Sequence, residues 1–175
     1  ACVPRQRPTF AMFVALLITF ATLTGSGTAR AAVIAPDIDA RSWLLIDMTT
    51  GATLASREPD QRVEPASLTK LMTAYLVFAA LRDNRLTLDQ RPPVSAVAYK
   101  ASGSRMFVDP RAPARVDELL NGLIVQSGND AAVILAEAVG TTEAQFARLM
   151  DAEAKRLGMV NSRFTNASGL PDPQH

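Results

Sequence analysis

An apolar run from Leu68 to Leu81 constrains the fold of this 175-residue chain more than any other segment. Its only clearly polar position after the first turn is Thr73, a pattern that predicts a helix buried on all sides. Such a helix needs other elements around it, and a chain with 48% hydrophobic and 20% charged residues can supply that core. The length allows one domain with a substantial core and is too short for two.

Shorter elements are predicted on both sides of this run. Residues 42–56 carry two apolar stretches around a turn at Gly51, which predicts a β-hairpin whose first strand is buried. Helical spacing predicts three further helices, at 116–126, 129–140 and 143–157. The tail from residue 159 is predicted to be a loop with one short strand. Because two or three strands are too few to cover a buried helix, we expect the chain to be the N-terminal portion of a longer protein.

The predicted helices carry recognisable end signals. Gly140 is a candidate C-terminal glycine for the second of them, and Gly158 follows the end of the third. Thr142 and Gln145 have the spacing of a capping box at the start of the third helix. These signals set the boundaries that the structure tests below.

The N-terminus is typical of an export signal. Arg5 and Arg7 form a basic start, and an apolar stretch follows at 11–23. Ala29-Arg30-Ala31 then places small residues at the two positions that a signal peptidase reads. The alternative interpretation is an uncleaved membrane anchor, although the apolar stretch is short for a membrane span.

We therefore expect a signal peptide at 1–31, with cleavage near Ala31, and a catalytic-domain portion at 32–175. Cleavage would remove Cys2, the only cysteine. An exported domain without disulfides is typical of the bacterial periplasm or of the outer face of the cytoplasmic membrane.

Composition and residue counts exclude several chemistries. A net charge of +1 without a basic stripe argues against a nucleic-acid partner. His175 is the only histidine, which excludes a zinc site with two or three histidines and leaves a Ser-His-Asp triad dependent on that residue. The sequence contains no P-loop and no GxGxxG phosphate loop. We therefore expect neither a metal nor a cofactor, and a serine whose base is not histidine remains.

Ser67 and Lys70 meet that requirement. Residues at i and i+3 share one face of a helix, so the Lys70 amine can reach the Ser67 hydroxyl. Burial and the positive end of the helix dipole favour the neutral amine, which can accept the serine proton. N–H groups at the helix start could stabilise an oxyanion. The alternative is an ordinary N-cap serine followed by a solvated lysine.

A second element, Ser127-Gly128-Asn129, lies between two predicted helices. Its hydroxyl could relay a proton to a leaving amine, and its side-chain amide could hold a substrate backbone. The alternative is a plain inter-helix turn in which Asn129 or Asp130 caps the next helix.

Together these motifs make the chain resemble the D-alanyl-D-alanine carboxypeptidases, the low-molecular-mass penicillin-binding proteins. The resemblance covers about residues 42–175 and is carried by PASLTKLMTAYLVFAAL, GSRMF, LLNGLIVQSGNDAAVILAE and RLGMVNSRFTNASGLPD with His175. It implies an α+β penicillin-binding/β-lactamase-like fold, in which an antiparallel sheet and a helical cluster surround a buried central helix. The chain stops before the later strands of that fold.

The resemblance also implies roles for single residues. Ser67 is the acylated nucleophile, Lys70 its proton acceptor, Ser127 a second catalytic hydroxyl and Asn129 a substrate-positioning group. The implied partners are peptidoglycan stem peptides ending in D-Ala-D-Ala, and β-lactams as acylating inhibitors. The family's Lys-Thr-Gly strand and its all-β C-terminal domain, with a tail that associates peripherally with the inner membrane, lie beyond this sequence. We expect the 175 residues alone to be inactive.

Two other functions compete with the carboxypeptidase. A class A-like β-lactamase shares both motifs but deacylates with a Glu placed after the second one. Here the last Glu is Glu153 and the loop reads SGN, not SDN, which favours the peptidase. A non-catalytic envelope protein that binds penicillin or peptidoglycan is the third hypothesis.

Overall fold

The computed structural model describes residues 37–175, so the predicted signal peptide and its cleavage site lie outside the described residues. The chain divides into two compact units at Gln61 and Arg62. The first is described over residues 37–61, and the second over residues 62–175.

The first unit contains the predicted hairpin, which is confirmed. Strands β1 (Trp43–Ile46) and β2 (Thr53–Arg57) pair antiparallel, with Trp43 opposite Arg57 and a register irregularity after Leu45. The Asp47 carboxylate accepts a hydrogen bond of 2.8 Å from the Thr49 amide and thereby shapes the turn. The prediction that the first strand is buried is wrong, because Leu44, Leu45 and Ile46 are all exposed. A two-stranded sheet has no second layer of its own to cover either face.

The second unit contains five α-helices and one 3₁₀ turn. Their order is the turn Ala66–Leu68, then α1 (Thr69–Arg82), α2 (Ala96–Tyr99), α3 (Val116–Val125), α4 (Asn129–Gly140) and α5 (Glu143–Arg156). The helices predicted at 116, 129 and 143 are confirmed to within a residue. Helix α2 was not predicted, since four residues carry too little periodicity. The short strand predicted after residue 159 is wrong, because no strand is assigned between 159 and 175.

The predicted end signals are confirmed in part. Thr142 caps α5 by accepting a hydrogen bond of 3.1 Å from the Gln145 amide. Helix α4 ends at Gly140, but the residue with positive φ is Thr141, at 68°. A Cβ on Gly140 would lie 2.7 Å from the Phe146 backbone, so this glycine serves the close approach of α4 and α5.

Helix α4 is the centre of the second unit. It packs against α1, α2, α3 and α5, and its residues from Asn129 to Ala136 are all buried. Its small side chains Ala131, Ala132 and Ala136 let neighbouring helices approach closely. The largest fully buried side chains are Phe146, Leu119, Leu123, Ile134, Leu135 and Met150. The α+β composition is therefore present, but the buried central helix is α4 and not the predicted apolar run at 68–81.

The prediction that the apolar run is buried on all sides is wrong. On α1, Leu71 is 70% exposed, and Tyr75 and Phe78 are exposed on the same side. The buried side carries apolar residues such as Val77 and Ala80, together with the polar residues Lys70 and Thr73. These polar side chains face inward because they hydrogen-bond to the backbone of the segment around residue 168. Helix α1 thus exposes part of its apolar surface while two of its polar side chains are buried against that segment.

None of the helices within residues 37–175 combines the length and the hydropathy that a membrane crossing requires.

Candidate active site

Ser67 lies in the 3₁₀ turn that precedes α1. Its hydroxyl caps neither the turn nor the helix, and its side chain is exposed. The preceding residue, Ala66, has a φ of 45°, an unfavourable value for a residue with a side chain. The interpretation of Ser67 as an ordinary helix cap is therefore wrong. The strained turn at Ala66 leaves the Ser67 hydroxyl available to other groups.

Lys70 lies one turn into the buried side of α1. Its Nζ donates to Ser67 Oγ over 3.2 Å and to the Ser168 carbonyl over 2.8 Å. The residue is only 6% exposed, so the interpretation as a solvated lysine is wrong. Burial lowers the pKa of the amine below that of an ordinary lysine. None of the ion pairs within residues 37–175 involves Lys70, so no carboxylate there offsets this effect.

Ser127 brings a second hydroxyl to Ser67. Its Oγ donates to Ser67 Oγ over 3.0 Å, across 60 residues of sequence. Its φ of 57° turns the chain sharply between α3 and α4, and the Gly128 amide donates to the Gly122 carbonyl over 3.0 Å. The segment is therefore more than a plain connection, because a strained residue directs its hydroxyl toward the exposed serine.

Asn129 is anchored to the loop at 101–108. Its Nδ2 donates to the Ser102 carbonyl over 2.7 Å, and its backbone amide donates to the Ser104 carbonyl over the same distance. Its Oδ1 accepts no hydrogen bond from residues 37–175. The structure thus joins Ser67, Lys70 and Ser127 directly, and holds Asn129 beside them with a carbonyl oxygen left to accept a hydrogen bond.

Sequence reasoning did not identify Asp130 as a support of this site. The carboxylate is 2% exposed and accepts backbone hydrogen bonds from Met106, Val108 and Ala131 at 2.9, 3.2 and 2.9 Å. It therefore fixes the loop that holds Asn129. The available signal was an acidic residue in the first turn of a helix, which by itself predicts only a cap.

The segment 164–170 is the second missed component. The Ala167 carbonyl accepts a 2.7 Å hydrogen bond from Thr73, beside the bond from Lys70 to Ser168. Asn166 folds this segment by accepting from the amides of Ser168 and Gly169. A Cβ on Gly169, whose φ is +80°, would lie 1.8 Å from the Ala66 carbonyl oxygen. Backbone atoms supply these contacts, and they leave no motif in the side-chain pattern.

His175 joins the same segment to the start of α1. Its Nε2 lies 2.7 Å from Thr69 Oγ1, and its Nδ1 accepts from the Thr165 amide over 3.1 Å. Because an amide can only donate, Nδ1 is unprotonated and the proton is on Nε2. Burial lowers the pKa of the ring, against the opposing charges of Asp172 and Asp151. Ser67 is not among the hydrogen-bond partners of the ring, so the geometry gives no Ser-His pair.

The resulting arrangement is a serine whose hydroxyl contacts both an amine and a second hydroxyl. A buried amine with a lowered pKa can accept a proton, and a hydroxyl bridges proton transfers. Among residues 37–175, no group of three His, Cys, Asp or Glu side chains is placed to hold a metal ion.

Comparisons with known proteins assign the family. Residues 29–175 match the peptidase S11 family, described as D-alanyl-D-alanine carboxypeptidase. The carboxypeptidase DacC of Escherichia coli is 38% identical over 151 residues, which are 83% of this chain and 38% of that protein. DacF of Bacillus subtilis is 36% identical over 137 residues, which are 78% of this chain and 35% of that protein. The chain thus spans a little over a third of each relative.

Solved structures agree with this assignment. The D-alanyl-D-alanine carboxypeptidase DacD of Francisella tularensis superposes with a TM-score of 0.76 at 37% identity, covering 86% of this chain and 38% of that one. The penicillin-binding protein D2 of Listeria monocytogenes, in an ampicillin-bound form, gives a TM-score of 0.69 at 28% identity, covering 80% and 57%. The chain belongs to the D-alanyl-D-alanine carboxypeptidase family, and the predicted penicillin-binding fold is confirmed.

Proposed function

We propose that the protein is a serine-type D-Ala-D-Ala carboxypeptidase that removes the terminal D-alanine from peptidoglycan stem peptides through an acyl-enzyme on Ser67. The observation that carries the proposal is the position of Ser67 Oγ, within 3.2 Å of Lys70 Nζ and 3.0 Å of Ser127 Oγ. Family membership supports the substrate class, since the similar proteins DacC of Escherichia coli and DacF of Bacillus subtilis are D-alanyl-D-alanine carboxypeptidases.

In the acylation step, neutral Lys70 accepts the proton of Ser67 while Oγ attacks the carbonyl carbon of the penultimate D-alanine. The new C–O bond sends the carbonyl electron pair onto oxygen. The Ser67 amide, which has no backbone acceptor among residues 37–175, is a candidate donor to that oxyanion. Asn129 Oδ1 accepts a hydrogen bond from the substrate backbone.

The collapse of the tetrahedral intermediate breaks the peptide C–N bond. The leaving D-alanine amine takes a proton from Ser127 Oγ, and Ser127 Oγ takes in its place the proton that Lys70 accepted from Ser67. Water then attacks the ester while Lys70 again accepts a proton. The shortened peptide leaves with a new carboxylate, and Ser67 Oγ regains its proton. A lysine held by a carbonyl instead of a carboxylate suits this cycle, because it can change charge without breaking an ion pair.

The proposal includes the compartment and the inhibitors. A signal peptide at 1–31, cleaved near Ala31, would send the domain to the periplasm or to the outer face of the cytoplasmic membrane. Peripheral association with the inner membrane through a C-terminal tail belongs to the same proposal. β-Lactams would acylate Ser67 as substrate mimics, which the ampicillin-bound Listeria relative supports.

The test is covalent labelling of the full-length protein with a fluorescent penicillin, followed by intact-mass measurement. We expect one adduct, absent from the Ser67→Ala protein, and release of D-alanine from a peptide ending in D-Ala-D-Ala. Labelling that survives Ser67→Ala would contradict the assignment of the nucleophile.

The same experiment separates the two alternatives. A β-lactamase would hydrolyse the penicillin rapidly and release no D-alanine, whereas a non-catalytic binder would form no adduct. Neither Ser67 nor Lys70 has a Glu among its hydrogen-bond partners in the described part of the chain. The nearby Glu143 instead accepts from the Ala167 amide at 3.0 Å. This arrangement favours the peptidase over a lactamase that deacylates with a glutamate.

A further inference from the structure

A groove of about 560 Å³ lies along the loop that holds Asn129. We call it the basic groove, and its lining includes Tyr99, Lys100, Arg105, Phe107, Asp109 and Arg111. Three of these side chains are cationic, and two are aromatic. Nothing in the catalytic scheme above uses them.

The acids that line the basic groove are already engaged. Asp109 binds Arg111 through two contacts, at 3.2 Å to Nε and 3.0 Å to Nη2. Asp130 accepts the three backbone amides described above. None of the ion pairs within residues 37–175 involves Lys100 or Arg105, so the groove presents two cations available to an anionic ligand.

Arg105 is held in place before any ligand arrives. Its guanidinium lies 4.4 Å from the centre of the Phe107 ring, and Nη1 donates to the Tyr99 carbonyl over 2.9 Å. Its remaining N–H groups can form the planar fork that recognises a carboxylate. An arginine fixed by a ring and a carbonyl loses less conformational freedom on binding than a free surface arginine.

The platform under Arg105 is itself constrained. Phe107 has a φ of 59° and is 72% exposed, both unfavourable for a large aromatic residue. Its two neighbours, Met106 and Val108, donate their amides to the buried Asp130 carboxylate and hold it in this conformation. The strained backbone of Phe107, and with it the position of its ring, is thus maintained by the carboxylate of Asp130, the residue after Asn129.

We infer that the basic groove binds the free carboxylates of an acidic stem peptide, upstream of its D-Ala-D-Ala end. The inference rests on the proposed function, because it concerns the substrate of the same site. The loop at 101–108 makes two hydrogen bonds to Asn129, so a peptide that runs from Ser67 past Asn129 reaches this loop next. Peptides with acidic residues upstream would then bind more productively than neutral ones.

The test uses two peptides that end in D-Ala-D-Ala and differ only in an upstream glutamate or glutamine. The measured quantity is the ratio of kcat/KM for the acidic peptide to that for the neutral peptide. For full-length wild-type protein we expect a ratio of about ten, the scale of two partly exposed ion pairs. The ratio should fall as salt is raised, because exposed charges are screened.

The decisive variant is Lys100→Gln with Arg105→Gln, for which the ratio should drop to about one. Arg105→Lys keeps the charge but loses the fork and the ring contact, so it should give an intermediate ratio. Arg163→Gln, at an exposed arginine outside the groove, is the matched control and should keep the wild-type ratio. If the double substitution only damages the site in general, kcat/KM falls for both peptides and their ratio stays at the wild-type value. A wild-type ratio in the double variant would therefore overturn the inference.

Equilibrium binding separates this inference from the proposed function. The Ser67→Ala protein cannot turn over substrate, yet its basic groove is intact. Fluorescence anisotropy with labelled peptides should show tighter binding of the acidic peptide, and the double substitution should remove the preference. Equal affinities for the two peptides would refute the groove even if D-alanine release is observed. A preference without D-alanine release would refute the carboxypeptidase alone.

Discussion

Replacing Gly169 by alanine should damage the site through backbone displacement alone. The added Cβ would lie 1.8 Å from the Ala66 carbonyl oxygen, whereas ordinary van der Waals contact begins near 3.4 Å. A residue with a side chain also pays about 1–2 kcal/mol for a φ of +80°. Overpacking against backbone adds about 1–3 kcal/mol, so we expect a loss of about 2–5 kcal/mol in the free energy of unfolding.

The displacement falls on atoms that the mechanism needs. Ala66 precedes Ser67, and Gly169 follows the residue whose carbonyl holds Lys70. Because a misplacement of about 1 Å can lower a rate about 100-fold, we expect the rate of penicillin acylation to fall by about that factor. Stopped-flow acylation and urea unfolding of the full-length protein measure the two effects.

Gly158 provides a matched control. Its φ is +81°, almost equal to that of Gly169, but nothing lies within 4 Å of a Cβ placed there. Gly158→Ala should therefore lose only about 1–2 kcal/mol of stability and acylate at the wild-type rate. The reasoning is refuted if the two variants are equally stable and acylate equally fast.

Three further predictions concern other parts of the site. Asp130→Ala leaves the Met106 and Val108 amides without their acceptor, so urea unfolding should show a loss of about 1–3 kcal/mol in the free energy of unfolding. An unchanged stability would contradict the role of Asp130 in holding the loop. Ser127→Ala should lower the acylation rate about 100-fold with little change in stability, and a wild-type rate would exclude the proton relay. Burial lowers the pKa of His175, so the stability that its neutral ring contributes is present above about pH 6.5 and is lost as the pH falls through the folded-state pKa. His175→Gln should flatten this part of the stability profile, and an equally steep profile would show that another group titrates.

The sequence was most informative where the geometry is local. The spacing of Ser67 and Lys70 on one helical turn predicts their contact, and helices α3 to α5 follow from periodicity and end signals. The approach of Ser127 to Ser67 was one of two interpretations of the loop, and the family resemblance favoured it, since no local rule connects positions 60 residues apart.

What could not be predicted depends on tertiary packing. The carbonyl that holds Lys70 is a backbone group, and every residue type carries one. The orientation of α1 was mispredicted because a helix with apolar residues all round gives no signal for its buried side. The structure selects the side with Lys70 and Thr73, since their polar atoms find acceptors there.

The central claim is that Lys70 accepts the proton of Ser67, and the acylation rate as a function of pH tests it most directly. In the wild-type protein the acylation rate should rise with pH as the Lys70 amine loses its proton. The midpoint of this rise is the pKa of the amine, which burial lowers below the ordinary 10.5. Lys70→Arg keeps the positive charge but cannot act as a base, so its acylation at neutral pH should fall by about 10²–10⁴. A Lys70→Arg protein that acylates at the wild-type rate, with the same pH profile, would contradict the account.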